Sequence, residues 1–360
     1  MKLVVFGLSV SSAWGNGHAT LWRGLIKALV RRGHTVEFFE RDEPFYASHR
    51  DFGSFKNFKL QLYGEWESIV EKATREVKGA DAVIVTSYCR DALSVLEILK
   101  NTDVHPRVFY DLDTPVTLGS IRNGTTPFYI GDNGLSDYDL VISYTGGTSL
   151  DGLKQVLKAQ RTVPLFGWVD ENSHLSVKPS SQFSGILSYL GTYAQDRQGK
   201  LDAFFLKVAG KMPGQRFVIG GALYPEKFPF GENVVFMRHV PPSDHPSFYC
   251  SSSFTLNITR SDMATCGFCP SARIFEAAAC GTPIISDNWQ GLENFLIPGE
   301  EIVTVQTTAD VIDALKMSES ERKLIAHRAR MHVLEEHTAY QRAIELEKIL
   351  ADAYSFQGAA

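Results

Sequence analysis

A stretch in the last third of the chain combines a predicted helix start with a carboxylate in the middle of the same helix. Ser271 predicts that the helix begins there, and Gly281 and Pro283 predict that it ends before a buried strand. The free N–H groups and the dipole of a helix start bind anions. Glu276 follows five residues later, roughly 7 Å further along the axis. This spacing suits a nucleoside diphosphate, with its ribose at Glu276, but it suits a plain core helix with Glu276 at its solvent edge equally well.

A glycine-containing loop follows the first predicted strand. Its sequence, Trp14-Gly15-Asn16-Gly17-His18, leads into a helix that we expect to begin near Ala19. Glycine lets a backbone approach a ligand closely, and parallel sheets bind ligands at the carboxyl ends of their strands. We therefore expect Gly15 and Gly17 to contact a ligand, with a purely structural turn as the alternative. The spacing is neither G-x-G-x-x-G nor a P-loop.

Two carboxylates, Asp111 and Asp113, follow the fourth predicted strand. Such a pair could bind a divalent metal, as the DxD element of metal-dependent glycosyltransferases does. No other carboxylate cluster lies nearby in the sequence, so we favour Asp113 as a lone carboxylate that could act as a general base. The alternative is that Asp113 caps the strand end in a turn.

Three cations follow strands in the second half of the chain. Arg197 and Lys200 lie at a predicted helix start, and Arg260 follows the strand FTLNIT. Cations at a helix start oppose the dipole unless an anion is present, and they could neutralise a phosphate leaving group. The alternatives are a solvated helix terminus for Arg197 and Lys200 and a surface ion pair for Arg260.

The five cysteines predict no metal or redox centre. Cys266 and Cys269 have the C-x-x-C spacing, but the chain has no second pair of this kind. An odd number of cysteines forms no complete disulfide framework, which suits a reducing cytoplasm. We expect no metal and no other cofactor.

Length and composition indicate an ordinary two-domain protein. The chain has 360 residues, of which 44% are hydrophobic and 21% charged, with a formal net charge of −5. This charge disfavours a nucleic-acid partner. The first apolar run is short and lacks a cleavage site, so it predicts a strand rather than a signal peptide. No stretch is long enough to predict a transmembrane segment.

Short apolar runs alternate with helical stretches along nearly the whole chain, which is typical of βαβ units. Two such series predict an α/β protein with two Rossmann-like domains, residues 1–167 and 168–338, whose parallel sheets face each other across a cleft. The predicted strands are Leu3–Phe6, Thr35–Glu40, Ala82–Thr86, Arg107–Asp111, Asp139–Ser143 and Thr162–Phe166, then Gly185–Leu190, Arg216–Gly220, Asn233–Phe236, Phe254–Ile258, Pro283–Ser286 and Glu301–Val305.

These motifs resemble those of a known family. SARIFEAAACGTPIISD looks like the donor-binding motif of GT-B glycosyltransferases, and the region from Leu187 to about Ala343 resembles the CgeB-like (spore maturation protein) glycosyltransferases. The matching pieces are LSYLGTYAQDRQ, IGGALYP, HVPPSDHPSFY, LNITRSDM, PSARIFEAAACGTPIISDNWQGLE and EHTAYQRA. DLDTPVTLG, SYTGGTSLDGL and PLFGWVDENSH match the less sharply defined N-terminal half.

The resemblance implies a GT-B fold that holds a nucleotide-sugar donor mainly in the second domain and an acceptor mainly in the first. It also implies that residues 339–360 form a C-terminal helix that packs back on the N-terminal domain. Ser271 and the N–H groups that follow it match the diphosphate site, and Arg197 matches a cation of the donor loop. Arg273, in the same helix, is a further candidate for binding the donor. Glu276 matches the ribose-binding glutamate.

Two further positions complete the comparison with the family. Val240 lies where such enzymes read the base with backbone groups. Phe268 stands where the retaining pattern of two glutamates eight positions apart has its first glutamate. This departure weakens the transfer of retaining stereochemistry to this chain.

The expected function is metal-independent transfer of a sugar from a nucleoside diphosphate to an acceptor hydroxyl of a saccharide, lipid or protein, such as a bacterial envelope or spore glycan. Asp113 or His18 would deprotonate the acceptor in an inverting reaction, whereas the donor phosphate could do so in a retaining one. The alternatives are a nucleotide-sugar hydrolase or epimerase on the same fold, and a non-catalytic protein that binds a ligand or an envelope partner.

Overall fold

A computed structural model describes residues 1–357, with side chains as far as Ser355. Two compact units divide the chain. Unit 1 comprises Met1–Phe166 together with the last helix, and unit 2 comprises Gly167–Thr338. Each unit contains one sheet whose strands are parallel, as the alternation of strands and helices predicts.

Unit 1 is built on a seven-stranded sheet. Its elements are β1 (Lys2–Gly7), α1 (Gly17–Arg31), β2 (Thr35–Arg41), α2 (Pro44–Ala47), β3 (Phe58–Tyr63), α3 (Val70–Lys78), β4 (Ala82–Thr86), α4 (Ala92–Lys100), β5 (Arg107–Asp111), α5 (Thr114–Arg122), β6 (Leu140–Ser143), α6 (Thr148–Leu157) and β7 (Thr162–Pro164). The strand order is β3-β2-β1-β4-β5-β6-β7. This order reverses beside β1, so ligands are expected at the carboxyl ends of β1 and β4.

Unit 2 is built on a six-stranded sheet. Its elements are β8 (Gly185–Leu190), α7 (Gln198–Leu201), α8 (Lys207–Lys211), β9 (Phe217–Gly220), β10 (Val234–Met237), α9 (His245–Cys250), β11 (Ser252–Asn257), α10 (Ser261–Cys266), α11 (Ala272–Cys280), β12 (Ile284–Asp287), β13 (Val303–Val305), α12 (Thr308–Leu315) and α13 (Glu319–Glu336). A π-helical turn, Asp202–Leu206, joins α7 and α8. The strand order is β10-β9-β8-β11-β12-β13.

The last helix, α14 (Ala339–Gln357), belongs to unit 1. It packs on α1, where Glu347 accepts hydrogen bonds from Arg32 and, at 2.7 Å, from His34. Arg342 Nε donates to the Phe166 carbonyl at 3.1 Å. Because Arg342 is only 6% exposed, this bond ties the helix firmly to the end of unit 1.

Central strands were easy to predict because they are apolar on both faces. All five residues of β4 are buried, as expected of a strand covered by helices on each side of a parallel sheet. The edge strand β3 was missed because Lys59 and Gln61 interrupt its apolar residues and its middle is only half-buried. Helix α5 was missed because Thr114 and Pro115 look like a turn, although proline is well tolerated in a first helical turn.

The capping predicted for α11 is confirmed. The Ser271 side chain accepts a hydrogen bond from the Arg273 N–H, and Gly281 ends the helix in the left-handed conformation with φ +77°. Glu276 lies among residues that are fully buried. Helix α11 is therefore a core helix whose N-terminus remains only half-buried.

Among the helices of residues 1–357, none combines the length and the apolarity that crossing a membrane would require.

Candidate functional site

His18 and Asp113 lie together at the carboxyl ends of β1 and β5 in unit 1. His18 Nε2 is 3.0 Å from Asp113 Oδ2, and the two side chains are 16% and 20% exposed. Asp113 occupies the N-cap position of α5, but its side chain forms no capping hydrogen bond. The turn-capping alternative for Asp113 is therefore wrong, because its carboxylate is directed to His18.

The other ring nitrogen of His18 lies away from both Asp113 and solvent. Nδ1 is buried and has no hydrogen-bond partner within residues 1–357. If Nε2 carries the proton and donates it to Asp113, Nδ1 keeps a free electron pair, since a neutral imidazole has one donor and one acceptor nitrogen. A histidine oriented by a carboxylate in this way can accept a proton.

Buried Glu40 fixes the loop that precedes His18. Its carboxylate accepts hydrogen bonds from the backbone N–H of Val10 at 2.7 Å and of Ser11 at 2.9 Å, and from the Ser9 hydroxyl at 2.8 Å. Glu40 is 1% exposed, so these bonds are shielded from water. We did not single out Glu40 from the sequence, where the only signal is a carboxylate at the end of an apolar strand.

The two predicted loop glycines are exposed. Gly15 has φ +60°, a conformation that favours glycine, and Gly17 is the first residue of α1. The helix thus begins two residues before Ala19, where we expected it, because the Asn16 side chain caps it by accepting the His18 N–H at 3.1 Å. A ligand contact at these glycines stays a prediction.

Asp111 and Asp113 do not form an exposed pair. Asp111 is fully buried, and burial raises its pKa to about 6. Its Oδ1 accepts the Asp113 N–H at 3.1 Å, and its Oδ2 has no partner in the part of the chain that the structure describes. With Asp111 in the core and Asp113 directed to His18, the arrangement lacks the joint exposure that a DxD metal site would need.

Two arginines lie at the carboxyl end of the sheet in unit 2 without a carboxylate partner. Arg273 donates to the Leu190 carbonyl and, at 2.7 Å, to Asn257 Oδ1, and Arg197 donates to the Thr192 carbonyl. Within residues 1–357, neither forms an ion pair within 4 Å, and Arg197 Nε is buried without a hydrogen-bond partner. Burial lowers the pKa of Arg197, and the neighbouring positive charge of Arg273 lowers it further.

Glycine allows this close packing. A Cβ added at Gly191 would lie 2.9 Å from both Arg273 Nη2 and the Tyr189 hydroxyl oxygen, and one added at Gly221 would lie 2.0 Å from the Gly191 carbonyl oxygen. Glycine is required at Gly221, where a Cβ would meet backbone atoms and φ is +152°, whereas at Gly191 the Arg273 and Tyr189 side chains would have to shift. The loop after β8 is therefore shaped around Arg273.

The other two predicted cations form ion pairs. Lys200 Nζ is 2.5 Å from Asp287 Oδ2, and Arg260 Nε is 3.2 Å from Asp196 Oδ2. The ion-pair alternative for Arg260 is thus what the structure contains, and Lys200 is not a solvated helix terminus. Both remain candidates for an anion because their side chains are 38% and 42% exposed.

An open cavity is lined in part by Arg197 and Arg260. It has a volume of about 490 Å³. Its lining comprises Thr192, Tyr193, Ala194, Gln195, Asp196, Arg197, Arg260 and Asp262. The volume is within the range of small-ligand sites.

Glu276 is buried rather than placed at a solvent edge, with 8% of its surface exposed. Its Oε2 accepts a hydrogen bond from the Tyr249 hydroxyl at 2.9 Å, and its Oε1 is 4.0 Å from His174 Nε2. Burial alone would raise the pKa of Glu276, but His174 and His245 outweigh it and hold the pKa below its ordinary value. Sequence reasoning missed both histidines, since neither belongs to a recognised motif.

Val240 lies in the loop before α9, and Phe268 lies in the loop before α11. The Val240 side chain is 5% exposed, and its carbonyl lies 3.2 Å from His245 Nε2. Phe268 has φ +46°, which is strained for an aromatic residue, and its N–H donates to the Gln290 carbonyl at 2.7 Å. The loop before α11 is thus held in an uncommon backbone conformation.

Residues 197–348 match a family described as glycosyl transferase-like. This region contains the cations, α11 and Glu276 of unit 2. No curated protein matches the chain.

Several solved structures share the fold over nearly the full length. Sucrose-phosphate synthase from Thermosynechococcus elongatus aligns with a TM-score of 0.72 at 15% identity, covering 99% of this chain and 100% of that one. Anabaena HepE in complex with UDP-glucose aligns with a TM-score of 0.68 at 15% identity, covering 98% and 100%. An alpha-glucosyltransferase in complex with UDP and DNA aligns with a TM-score of 0.69 at 12% identity, covering 98% and 99%.

At such identities the likeness establishes architecture and not activity. The two parallel sheets and these neighbours show the GT-B fold that the sequence predicts. The chain therefore has the GT-B fold, and its glycosyl transferase-like region supports a glycosyltransferase.

Proposed function

We propose that this protein transfers a sugar from a UDP-sugar to the hydroxyl group of an acceptor. The family match supports glycosyl transfer, and the choice of nucleotide is supported by HepE, which was solved with UDP-glucose, and by the alpha-glucosyltransferase, which was solved with UDP. Unit 2 would bind the donor and unit 1 would supply the acceptor base.

The observation that carries the donor site is the pair Arg197 and Arg273. Neither guanidinium group pairs with a carboxylate of the described residues, so the two repel each other, and a bound dianion would remove that repulsion. Helix α11 begins in the same region with Ser271 as its cap, and the positive end of its dipole favours an anion there. Arginine and a helix N-terminus both favour phosphate.

The remaining donor contacts are assigned by position. Lys200 and Arg260 would exchange part of their ion pairs for the diphosphate. Glu276 would accept the ribose hydroxyls through Oε1, since Oε2 is occupied by Tyr249. The backbone at Val240 would read the base.

His18 and Asp113 form the proposed general base pair. The acceptor oxygen attacks the anomeric carbon, the bond from that carbon to the diphosphate oxygen breaks, and His18 Nδ1 takes the hydroxyl proton. Asp113 stabilises the resulting imidazolium through Nε2–H. An acceptor activated in this way attacks opposite the leaving group, so we expect inversion at the anomeric carbon.

We also propose that transfer needs no metal. Arg197, Arg273 and the start of α11 would stabilise the leaving diphosphate. The buried position of Asp111 supports this view, because it removes the carboxylate pair that would otherwise hold a cation.

The finer assignment is a CgeB-like enzyme that acts in the cytoplasm on a bacterial envelope or spore glycan. It is supported by the sequence pieces quoted above and by five free cysteines, which suit a reducing compartment.

The test measures UDP release from UDP-glucose with and without a panel of saccharide acceptors. We expect release that depends on the acceptor and is unchanged by EDTA. Release of UDP without an acceptor would favour a hydrolase. Conversion of the sugar without release of UDP would favour an epimerase. Absence of both reaction and nucleotide binding would favour a non-catalytic protein.

A further inference from the structure

Three side chains that bind metals well meet inside unit 2. His174, His245 and Glu276 each offer one ligand atom, and these atoms all lie within 4.8 Å of one another. His245 and Tyr249 are separated by one turn of α9, so both face Glu276 on α11. His174 comes from the loop that precedes β8.

The two histidines have free ring nitrogens in a buried place. His174 is 2% exposed, and neither of its ring nitrogens has a hydrogen-bond partner within residues 1–357. His245 Nδ1 is likewise buried without a partner. A ring nitrogen that is not engaged in a hydrogen bond keeps its electron pair for a metal ion when it carries no proton.

Hydrogen bonds with neighbouring groups orient His245 and Glu276, as is usual for metal ligands. His245 Nε2 lies 3.2 Å from the Val240 carbonyl, so Nε2–H can donate there and leave Nδ1 unprotonated. Metal-binding histidines commonly donate their second nitrogen to a carbonyl or carboxylate. Tyr249 orients the Glu276 carboxylate in the same manner.

The loop that carries His174 is also braced. Asp170 accepts the His174 N–H at 3.0 Å through its carbonyl and the Ser173 hydroxyl at 2.7 Å through its carboxylate. These bonds form a compact turn. His174 is therefore presented by a defined backbone rather than by an open loop.

We propose that His174, His245 and Glu276 bind a divalent transition-metal ion, and that this ion excludes the nucleoside of the donor from Glu276. Two imidazoles and one carboxylate suit zinc, iron, nickel or cobalt. With bonds of about 2.0 to 2.1 Å, ligand atoms around a tetrahedral ion lie roughly 3.3 Å apart. The 4.0 Å between His174 Nε2 and Glu276 Oε1 would have to shorten by less than 1 Å, and no separation among the three ligand atoms by more than about 1.5 Å.

The exclusion rests on the proposed function, because it assumes that the ribose uses Glu276 Oε1. Metal and ribose would then compete for one oxygen atom. The ion would act as an inhibitor and not as a cofactor, which agrees with transfer that needs no metal. Metal binding itself does not depend on the enzymatic activity.

Cobalt(II) is the probe, because its visible absorption reports ligands of this kind. Titration into the metal-free full-length protein should give one saturable site. His174→Gln and His245→Gln should each weaken cobalt binding by at least about 100-fold, and Tyr249→Phe, which only orients Glu276, by about tenfold. His327→Gln, which alters an exposed histidine of α13, should change nothing. Circular dichroism checks that each variant folds.

UDP at ten times its own dissociation constant should raise the apparent cobalt dissociation constant about tenfold. Failure of the wild type to bind cobalt or zinc, or unchanged binding in both folded histidine variants, would overturn the metal site. A complex that holds cobalt and UDP together would overturn the exclusion. Calorimetry with UDP in EDTA tests the donor site separately, so either proposal can fail without the other.

Discussion

His18 Nε2 and Asp113 Oδ2 lie 3.0 Å apart although 95 positions separate them in the sequence. The parallel topology brings them together, because the residues that follow β1 and β5 lie at the same edge of one sheet. The sequence indicated each residue as a candidate base, but only the structure joins them into one unit.

We expect His18→Gln and Asp113→Asn each to lower kcat/KM for sugar transfer by about 10² to 10⁴-fold. The double variant should lose no more than the larger single loss, because the two residues act together. Steady-state kinetics measure this, with UDP binding unchanged. His105→Gln is the matched control, since His105 pairs with Asp139 at 2.8 Å before β5 begins. Equal losses in the control would contradict a catalytic role for His18.

Arg197→Gln should weaken UDP binding by about 10- to 100-fold, because one charge-assisted hydrogen bond to phosphate is lost. Calorimetry at fixed ionic strength measures it. Arg216→Gln serves as control, because Arg216 also donates to backbone carbonyls but precedes β9 at the amino end of the sheet. If Arg197→Gln bound UDP as tightly as the wild type, Arg197 would not be a donor-binding residue.

Asp111→Asn should stabilise unit 1 at pH 7.5. Burial raises the pKa of Asp111 from 3.8 to about 6, so between these pH values the folded state keeps a proton that the unfolded state has lost. The free energy of unfolding therefore falls as pH rises, and the ionised carboxylate costs up to about 3 kcal/mol above pH 6.

Urea unfolding from pH 3.5 to 8 measures the difference between Asp111→Asn and the wild type. The gain should vanish below about pH 4. Asp81→Asn should show no gain, since Asp81 is exposed. If Asp111→Asn were less stable than the wild type at pH 7.5, the ionised carboxylate would stabilise the fold. That result would contradict the prediction and would be expected of a carboxylate that binds a metal.

Tyr249→Phe should lower the free energy of unfolding by about 1.5 to 3 kcal/mol, because it removes a hydrogen bond to a buried carboxylate. Tyr224→Phe is the comparison, since its hydroxyl donates to the neutral Gly191 carbonyl at 3.1 Å and should cost about 1 kcal/mol. Denaturant unfolding in EDTA measures both. Equal losses would mean that Glu276 is not held as an ionised group.

Local patterns were sufficient for most of the fold. Apolar runs located the central strands, and Ser271 and Gly281 marked the ends of α11, because capping depends on residues close in sequence. Edge strand β3 escaped detection, since a half-buried strand lacks a continuous apolar pattern.

The site was harder to predict because it depends on contacts distant in sequence. Arg197 and Glu276 were indicated by their positions after strands and within a helix. His174 and Glu40 gave no local signal, and the partners of Lys200 and Arg260 could not be assigned without the fold. Spacing placed Glu276 on the correct helix but could not show that Tyr249 and His174 enclose it.

Thermal unfolding of the metal-free protein with UDP, GDP, ADP and their parent nucleosides tests the central claim most directly. The account predicts that UDP, at about 100 times its dissociation constant, raises the melting temperature by about 5 °C, and that uridine raises it less. The difference arises because uridine lacks the diphosphate that Arg197, Arg273 and the start of α11 would bind. Equal melting temperatures with and without every nucleoside diphosphate would contradict a nucleotide-sugar site in unit 2.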